Sequence, residues 1–516
     1  MKIYRELFKG TVYLVGAGPG DFGLLTLRGK ELLERCDVCI YDNLVNDRII
    51  SLLTRPGCEK IYVGKSGASH TMEQEEINRL IVEKARENKS VVRLKGGDPF
   101  IFGRGGEEAL FLAEKGIRFE IVSGVSSGYA APAYAGIPVT HRGYSSSVAF
   151  ITGHEDPAKL ESDIKWDKIA TGIQTLVFLM GVKNLPLIMD MLIRHGAPSS
   201  TPAAVIENGC GPLQRTITGT LADIPDKVRN ATINPPSIII VGDVVSLRDK
   251  INWYETGPLF GKTIAVTRSR EQASSFSARL EEFGANVIEI PAIRIAPPDD
   301  TAAVFACIEK IASYDWIIFT SANGVSYFFK YLFDRGFDSR KLSGAKVCAI
   351  GPATAAGLMQ MGVRPELVPE KYESQDIARS LISRGEVRGK SFLLPRADIA
   401  PKTLSETLTN AGAKAVDDLI IYRTVDEDLS NRKDLLEMLS NKKLDLVTFT
   451  SSSTVQNFGK ILRRYAPDEK NALKCAAIGP VTAEKAMELG FRVEIMAAQH
   501  TIEGLVEAIC SYYRTG

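Results

Sequence analysis

The sequence predicts an α/β protein of several domains, on three observations. Its 516 residues exceed what one hydrophobic core supports, and at roughly 100 to 200 residues per domain the chain divides into about three or four. Short β-branched runs alternate with helical stretches through residues 10–246, which is the pattern of layered α/β domains. An internal repeat fills most of the remainder.

In chain order, TVYLV, DVCIY, VVRL and FEIV read as strands of a domain over residues 10–122. VAFIT, TLVFLM and SIIIV continue the alternation through a second domain, residues 123–246. WYETGPLFGK at 253–262 carries Gly and Pro and no periodicity, so residues 247–260 read as a linker. Beyond it, GKTIAVTR at 261–268 recurs 128 positions later as GKSFLLPR at 389–396. DWIIFTSANGV from Asp315 is echoed by DLVTFTSSSTV from Asp445, and IGPATA at 350–355 by IGPVTA at 478–483. Strands ending in TS or GP loops before helices set backbone N–H groups and hydroxyls where an anion can bind.

Composition excludes several classes of function. Lys and Arg number 63 against 62 Asp and Glu, a formal charge of +1, so no global field points to nucleic acid or an anionic membrane. No uncharged apolar run reaches the ~18 residues that span a bilayer, and MKIYRELFKG lacks the apolar core of a signal peptide, which predicts a cytoplasmic protein. The eight cysteines are scattered, and no metal site is expected. Cys36 and Cys39 form a CxxC that reads either as a redox or metal pair or as small hydrophobes in CDVCIY.

GTVYLVGAGPGDFGLLTLRGKELL at 10–33 raises the question of a dinucleotide site. The loop is GxGxG rather than GxGxxG, and Asp21 stands where a pyrophosphate would be repelled. Asp42 in YDNLV follows the second strand as a ribose ligand would, and glycine for a tight turn remains the plain alternative.

RLKGGDPFIFGRGGEE at 93–108 and GVSSGYAAPAYAGIPVTHRG at 124–143, with VGAGPGD, YDNLV, VGK and VFLMG, resemble the uroporphyrinogen-III C-methyltransferases of the tetrapyrrole-methylase family. The resemblance covers nearly all of residues 10–246. It implies two α/β domains with S-adenosylmethionine between them, tetrapyrrole substrates, and a homodimer formed through this half. It also implies that Asp42 is the base that removes a pyrrole N–H proton and Lys65 the proton donor, although one extra residue separates them relative to relatives. The donor-binding positions carried over are Pro19, Gly96, Gly97, Asp98, Ile101, Ser126, Ser127, Met180 and Gly209. Glycines admit a ligand against backbone, hydroxyls and Asp98 suit its polar groups, and Met180 offers a soft surface. For the acceptor carboxylates, Arg104, His141 and Arg142 stand near the glycine-rich loops, arginine being suited by its planar fork. By residue type alone, Asp42 equally reads as a helix cap, Lys65 and the arginines as solvated surface groups, and Met180 as core.

GPxTA, TSxxxV and LIIYRT in a two-fold repeat resemble the uroporphyrinogen-III synthases. That resemblance implies two flavodoxin-like parallel-sheet domains, one of residues 261–294 with 424–516 and one of 295–423, so that repeat and spatial domain need not coincide. It further implies closure of hydroxymethylbilane with inversion of ring D, a reaction that needs mainly positioning. Tyr422 is the candidate for assisting loss of the hydroxyl. Ser451 and Thr482 are candidates for holding carboxylates at helix N-termini, with Arg268 and Arg396 at strand ends; ordinary N-caps and a packed Tyr are the alternatives. Together the two resemblances place the chain in porphyrin, siroheme or cobalamin biosynthesis. The competing reading is a methyltransferase of a corrin intermediate fused to a small-anion binding module.

Overall fold

The computed structural model describes residues 8–64, 72–154, 163–267, 270–290, 293–370, 374–426, 429, 433–440, 443–466 and 473–514. Two compact units divide the chain, residues 1–264 with 278–287 and 509–516, and residues 265–277 with 288–508.

Strands β1 (Thr11–Gly16), β2 (Val38–Tyr41), β3 (Glu59–Tyr62), β4 (Val91–Lys95) and β5 (Arg118–Val122) form one sheet in the order β3-β2-β4-β1-β5. All its pairings are parallel, so every strand ends on the same edge. Alternation along β1 explains its unbroken apolar run. Val12 and Leu14 pack on one face with Ile77 and Ile81, while Tyr13 and Val15 pack on the other with Leu32 and Leu33.

The second sheet contains β6 (Val148–Thr152), β7 (Thr175–Leu179), β8 (Pro202–Glu207), β9 (Arg215–Thr220) and β10 (Ser237–Val241), ordered β6-β7-β10-β8-β9. Only β6 and β7 run parallel; the other pairs are antiparallel. The short connection 208–214 carries no crossover helix, so β8 and β9 must turn back on each other. The stretch that reads as a linker is docked on this half. The Trp253 indole N–H donates to the Ala133 carbonyl at 3.0 Å, Tyr134 packs against Trp253 and Tyr254, and Glu255 accepts from Gln214 at 2.8 Å and Thr216 at 2.6 Å. Aromatic anchors hold a segment that has no periodicity to reveal them.

The remaining strands are β11 (Thr263–Val266), β12 (Asn286–Glu289), β13 (Ile293–Ala296), β14 (Trp316–Phe319), β15 (Lys346–Ala349), β16 (Ser391–Ala397), β17 (Ala415–Asp426), β18 (Leu446–Phe449), β19 (Lys474–Ala477) and β20 (Arg492–Met496). They form two sheets, β12-β11-β18-β19-β20 and β13-β17-β16-β14-β15. β11 and β16 are the paired GK strands of the repeat, and β14 and β18 its paired TS strands. Each sheet therefore joins the GK strand of one repeat to the TS strand of the other. The long β17 pairs parallel with β16 up to Tyr422 and then antiparallel with β13 from Arg423 to Asp426. Among the described residues no helix is long and apolar enough to cross a membrane, and no cluster of three metal-ligating side chains occurs.

Candidate active site

The carboxyl edge of the first sheet is built from backbone at close quarters. A Cβ on Gly16 would stand 2.5 Å from the Gly124 Cα, and one on Gly124 would stand 2.2 Å from the Gly97 carbonyl oxygen. Gly18 and Gly97 exchange backbone hydrogen bonds of 3.2 and 2.7 Å. The loops after β1, β4 and β5 are thus locked together backbone to backbone, a glycine cradle with no room for side chains where they meet. Asp98 closes the lock. Its buried carboxylate accepts from the Phe100 N–H at 2.7 Å and the Gly124 N–H at 2.9 Å, so it holds two loops rather than waiting free for a ligand.

Buried Ser126 caps the helix Ser127–Tyr134 by accepting from the Gly128 N–H at 3.2 Å. Gly209, in the loop after β8, meets the same helix, because a Cβ there would lie 2.3 Å from the Ala131 Cβ. Pro19 is half-buried beside Gly20, whose Cβ would reach 3.5 Å from the Gly209 carbonyl oxygen. Asp21 accepts from the Tyr134 hydroxyl at 2.7 Å; burial and then this bond hold the phenol above its ordinary range. Ile101 is half-buried in the loop after β4. Met180 follows β7 at a φ of 60° and is 54% exposed, which sets aside its reading as core.

Asp42 follows β2, and its loop rests on the cradle: a Cβ on Gly96 would stand 2.6 Å from the Leu44 Cβ. One Asp42 oxygen accepts from the Leu44 N–H at 3.2 Å and the other faces the Arg93 guanidinium at 3.2 Å, with 23% of the side chain exposed. Behind it lies a buried charge cluster. Arg93 Nε and Lys95 Nζ meet Glu108 Oε1 at 3.2 and 2.8 Å, and Gln74 donates to the same oxygen at 3.1 Å. Burial, then the Arg93 charge, pushes the Lys95 ammonium below its ordinary range, against the pull of Glu108.

Arg104 is exposed and bound side by side to Glu107 through contacts of 2.9 and 2.7 Å. His141 and Arg142 lie on an exposed turn where the His141 ring meets Tyr144 edge-on. Lys65 and Arg268 lie outside the described residues.

In the second half Tyr422 is 7% exposed, and its hydroxyl shares a hydrogen bond of 3.1 Å with Ser321 Oγ. Burial pushes the phenol's pKa above its ordinary range, and the Ser321 contact opposes that rise. Ser451 caps the helix Ser452–Tyr465, accepting from the Thr454 N–H at 3.3 Å, as an ordinary N-cap does. Thr482 is buried in the first turn of the helix Pro480–Glu488. Arg396 is buried as well. Its guanidinium meets Asp418 at 2.8 Å and the carbonyls of Ala400 and Pro401, so it secures the loop after β16 rather than standing open to a substrate carboxylate.

Residues 11–225 match the family described as tetrapyrrole (corrin/porphyrin) methylases, and residues 274–507 the family described as uroporphyrinogen-III synthase HemD. The porphyrin biosynthesis protein HemD of Ruminiclostridium josui is 38% identical over 503 residues, 97% of each chain. The chain belongs to the HemD family of porphyrin biosynthesis. A uroporphyrinogen-III C-methyltransferase of Bacillus subtilis is 43% identical over 68% of this chain and 72% of its own length. Among solved structures, uroporphyrin-III C-methyl transferase from Thermus thermophilus, complexed with S-adenyl homocysteine, covers 46% of this chain and 99% of its own at 40% identity, with a TM-score of 0.40.

This HemD-family chain therefore has a methyltransferase part and a synthase part, both of tetrapyrrole biosynthesis. Three residues at its sites escape a reading of motifs. Arg93 and Glu108 flank the glycine-rich segment and look like ordinary charges in RLKGG and GGEE. Ser321 carries a visible signal, since TSANGV repeats the TSSSTV that contains Ser451.

Proposed function

We propose that the chain closes hydroxymethylbilane to uroporphyrinogen III with ring D inverted, then methylates that product twice to precorrin-2 with S-adenosylmethionine as donor. The observation that carries the methyltransferase reading is the Asp42 loop seated on the glycine cradle, with Leu44 against Gly96. It supports a partly exposed carboxylate standing beside the loops that receive the donor in this proposal.

The cradle fits the donor. Gly16, Gly97 and Gly124 leave no side chain in the way, and the Ser126–Ser127 helix start offers N–H groups to a carboxylate. When bound, the donor supplies an activated methyl group, so the protein's share is positioning and proton removal. Asp42 takes the pyrrole N–H proton as the ring carbon becomes nucleophilic, and Arg93 holds the carboxylate in place. Arg104, His141 and Arg142 are exposed where acceptor carboxylates are to be met, and Arg104 must exchange Glu107 for one of them. A homodimer formed through this half belongs to the same proposal.

In the synthase part, Tyr422 donates a hydrogen bond to the departing hydroxyl while Ser321 holds the phenol. Thr482 and the helix start at Ser451 receive substrate carboxylates.

Incubating the whole chain with hydroxymethylbilane and S-adenosylmethionine, followed by mass and isomer analysis, tests both steps. The dimethylated type III product is expected. Unmethylated uroporphyrinogen with donor in excess overturns the methyltransferase reading, and the symmetric type I isomer alone overturns the synthase reading.

A further inference from the structure

The CxxC at Cys36 and Cys39 has no part in the chemistry above, and the structure gives Cys36 a different neighbour. Cys36 Sγ lies 3.7 Å from Cys58 Sγ, across 22 residues of sequence. Cys36 is fully buried just before β2, and Cys58 is half-buried just before β3, so the two sulfurs meet at the amino ends of adjacent parallel strands. Cys39 is buried within β2. A shift of under two ångströms brings the pair to the ~2.05 Å of a disulfide.

We propose that Cys36 and Cys58 are an oxidisable dithiol that a peroxide converts to an intrachain disulfide. Roles follow from the surroundings. Cys58 is the solvent-facing member, and the hydrogen bond from Cys36 and the charges of Arg55 and Lys60 hold its thiol below the ordinary range, against a partial burial. Cys36 stays protonated, held there first by its bond to Cys58 and then by burial. An exposed sulfur with thiolate character is the one that attacks an oxidant.

The Cys58 thiolate attacks one peroxide oxygen, the O–O bond breaks, and hydroxide leaves to become water, which makes Cys58 a sulfenic acid. Cys36 then loses its proton and attacks the Cys58 sulfur, the S–O bond breaks, and a second water departs. Two thiols have given up two electrons and two protons, and one hydrogen peroxide has become two waters. The bond ties the start of β2, which leads to Asp42, to the start of β3. A dithiol reductant restores both thiols.

The test is treatment of the full chain with stoichiometric hydrogen peroxide, followed by thiol titration and non-reducing peptide mass analysis. The expected result is loss of two of the eight free thiols, a mass lower by two hydrogens, and a joined pair of peptides carrying Cys36 and Cys58, all reversed by dithiothreitol. Because Cys36 and Cys39 share one tryptic peptide, variants assign the bond: Cys39→Ser keeps it, and Cys58→Ser, at a half-exposed position, abolishes it. The proposal is overturned by survival of all eight thiols, by Cys58 gaining oxygen without a bridge, or by a bridge that the Cys39→Ser variant loses.

Discussion

Tyr422 and Ser321 share a hydrogen bond of 3.1 Å although 101 residues separate them. Ser321 also caps the helix Ala322–Asp334, accepting from the Gly324 N–H at 2.9 Å, so the serine that fixes the helix start fixes the phenol too. Tyr422→Phe keeps the ring packed against Tyr327 and removes only the O–H. Ring closure is expected to slow about ten- to a hundredfold, the worth of one hydrogen bond to a developing charge. The product that forms stays mainly the type III isomer. A coupled assay with isomer separation measures both, and an unchanged rate in the folded variant removes Tyr422 from the mechanism.

Asp42→Asn is expected to bind S-adenosylmethionine almost normally and to lose about a hundred- to ten-thousandfold in methyl transfer, the usual share of a general base. Calorimetric titration with the donor and single-turnover assays separate the two effects. A fall below about threefold makes Asp42 a structural residue.

Gly124→Ala places a methyl group 2.2 Å from the Gly97 carbonyl oxygen. Backbone cannot yield there without breaking the Asp98 clamp, so the variant is expected to lose about 1–3 kcal/mol of stability together with donor binding. Urea unfolding and donor titration report the two losses. Full donor affinity in Gly124→Ala would show that the cradle lies elsewhere.

Glu108→Gln removes the carboxylate that, alone among the described residues, pairs with both Arg93 and Lys95, at 3.2 and 2.8 Å. Two cations are then left buried with no counter-charge in that cluster except Asp42. Breaking a buried pair in this way costs about 3–5 kcal/mol, and the midpoint of urea unfolding is expected to fall accordingly. A midpoint within error of wild type would mean that Arg93 and Lys95 find other partners.

The close packing of the glycine loops is the feature most legible in the sequence, because peptide approaching peptide leaves room for nothing else and Gly16, Gly97 and Gly124 stand openly in the chain. Asp98 shows the limit of that reading. Expected to meet a ligand, it is tied to Gly124, and only the register of β4 and β5 about β1 brings those residues together. Arg396 reads as a substrate clamp at a strand end, yet parallel pairing of β16 with β17 sets it near Asp418. Arg93 gives almost no signal, since the two cations in VVRLK do not reveal that the partners of Arg93 are Asp42 and Glu108. The alternation of strands and helices was enough for the fold class, but nothing local announces that β8 and β9 run antiparallel.

The exchange of strands between the two repeats bears on how the protein is made. Thr267 donates to the Thr448 carbonyl at 2.8 Å and Thr448 returns a bond of 3.0 Å to the Ala265 carbonyl, so β11 is completed by chain that lies 181 residues downstream. At about 5–20 residues per second on the ribosome, roughly 10–35 s pass before that partner is translated. Through that interval the nascent β11 has an open edge, whereas the sheet that holds β16 already has β14 and closes as soon as β17 appears. Synthesis thus imposes an order of assembly opposite to the order of the sequence: the sheet β13-β17-β16-β14-β15 is complete first, and the sheet whose leading strand β11 was made earlier is the last to be sealed.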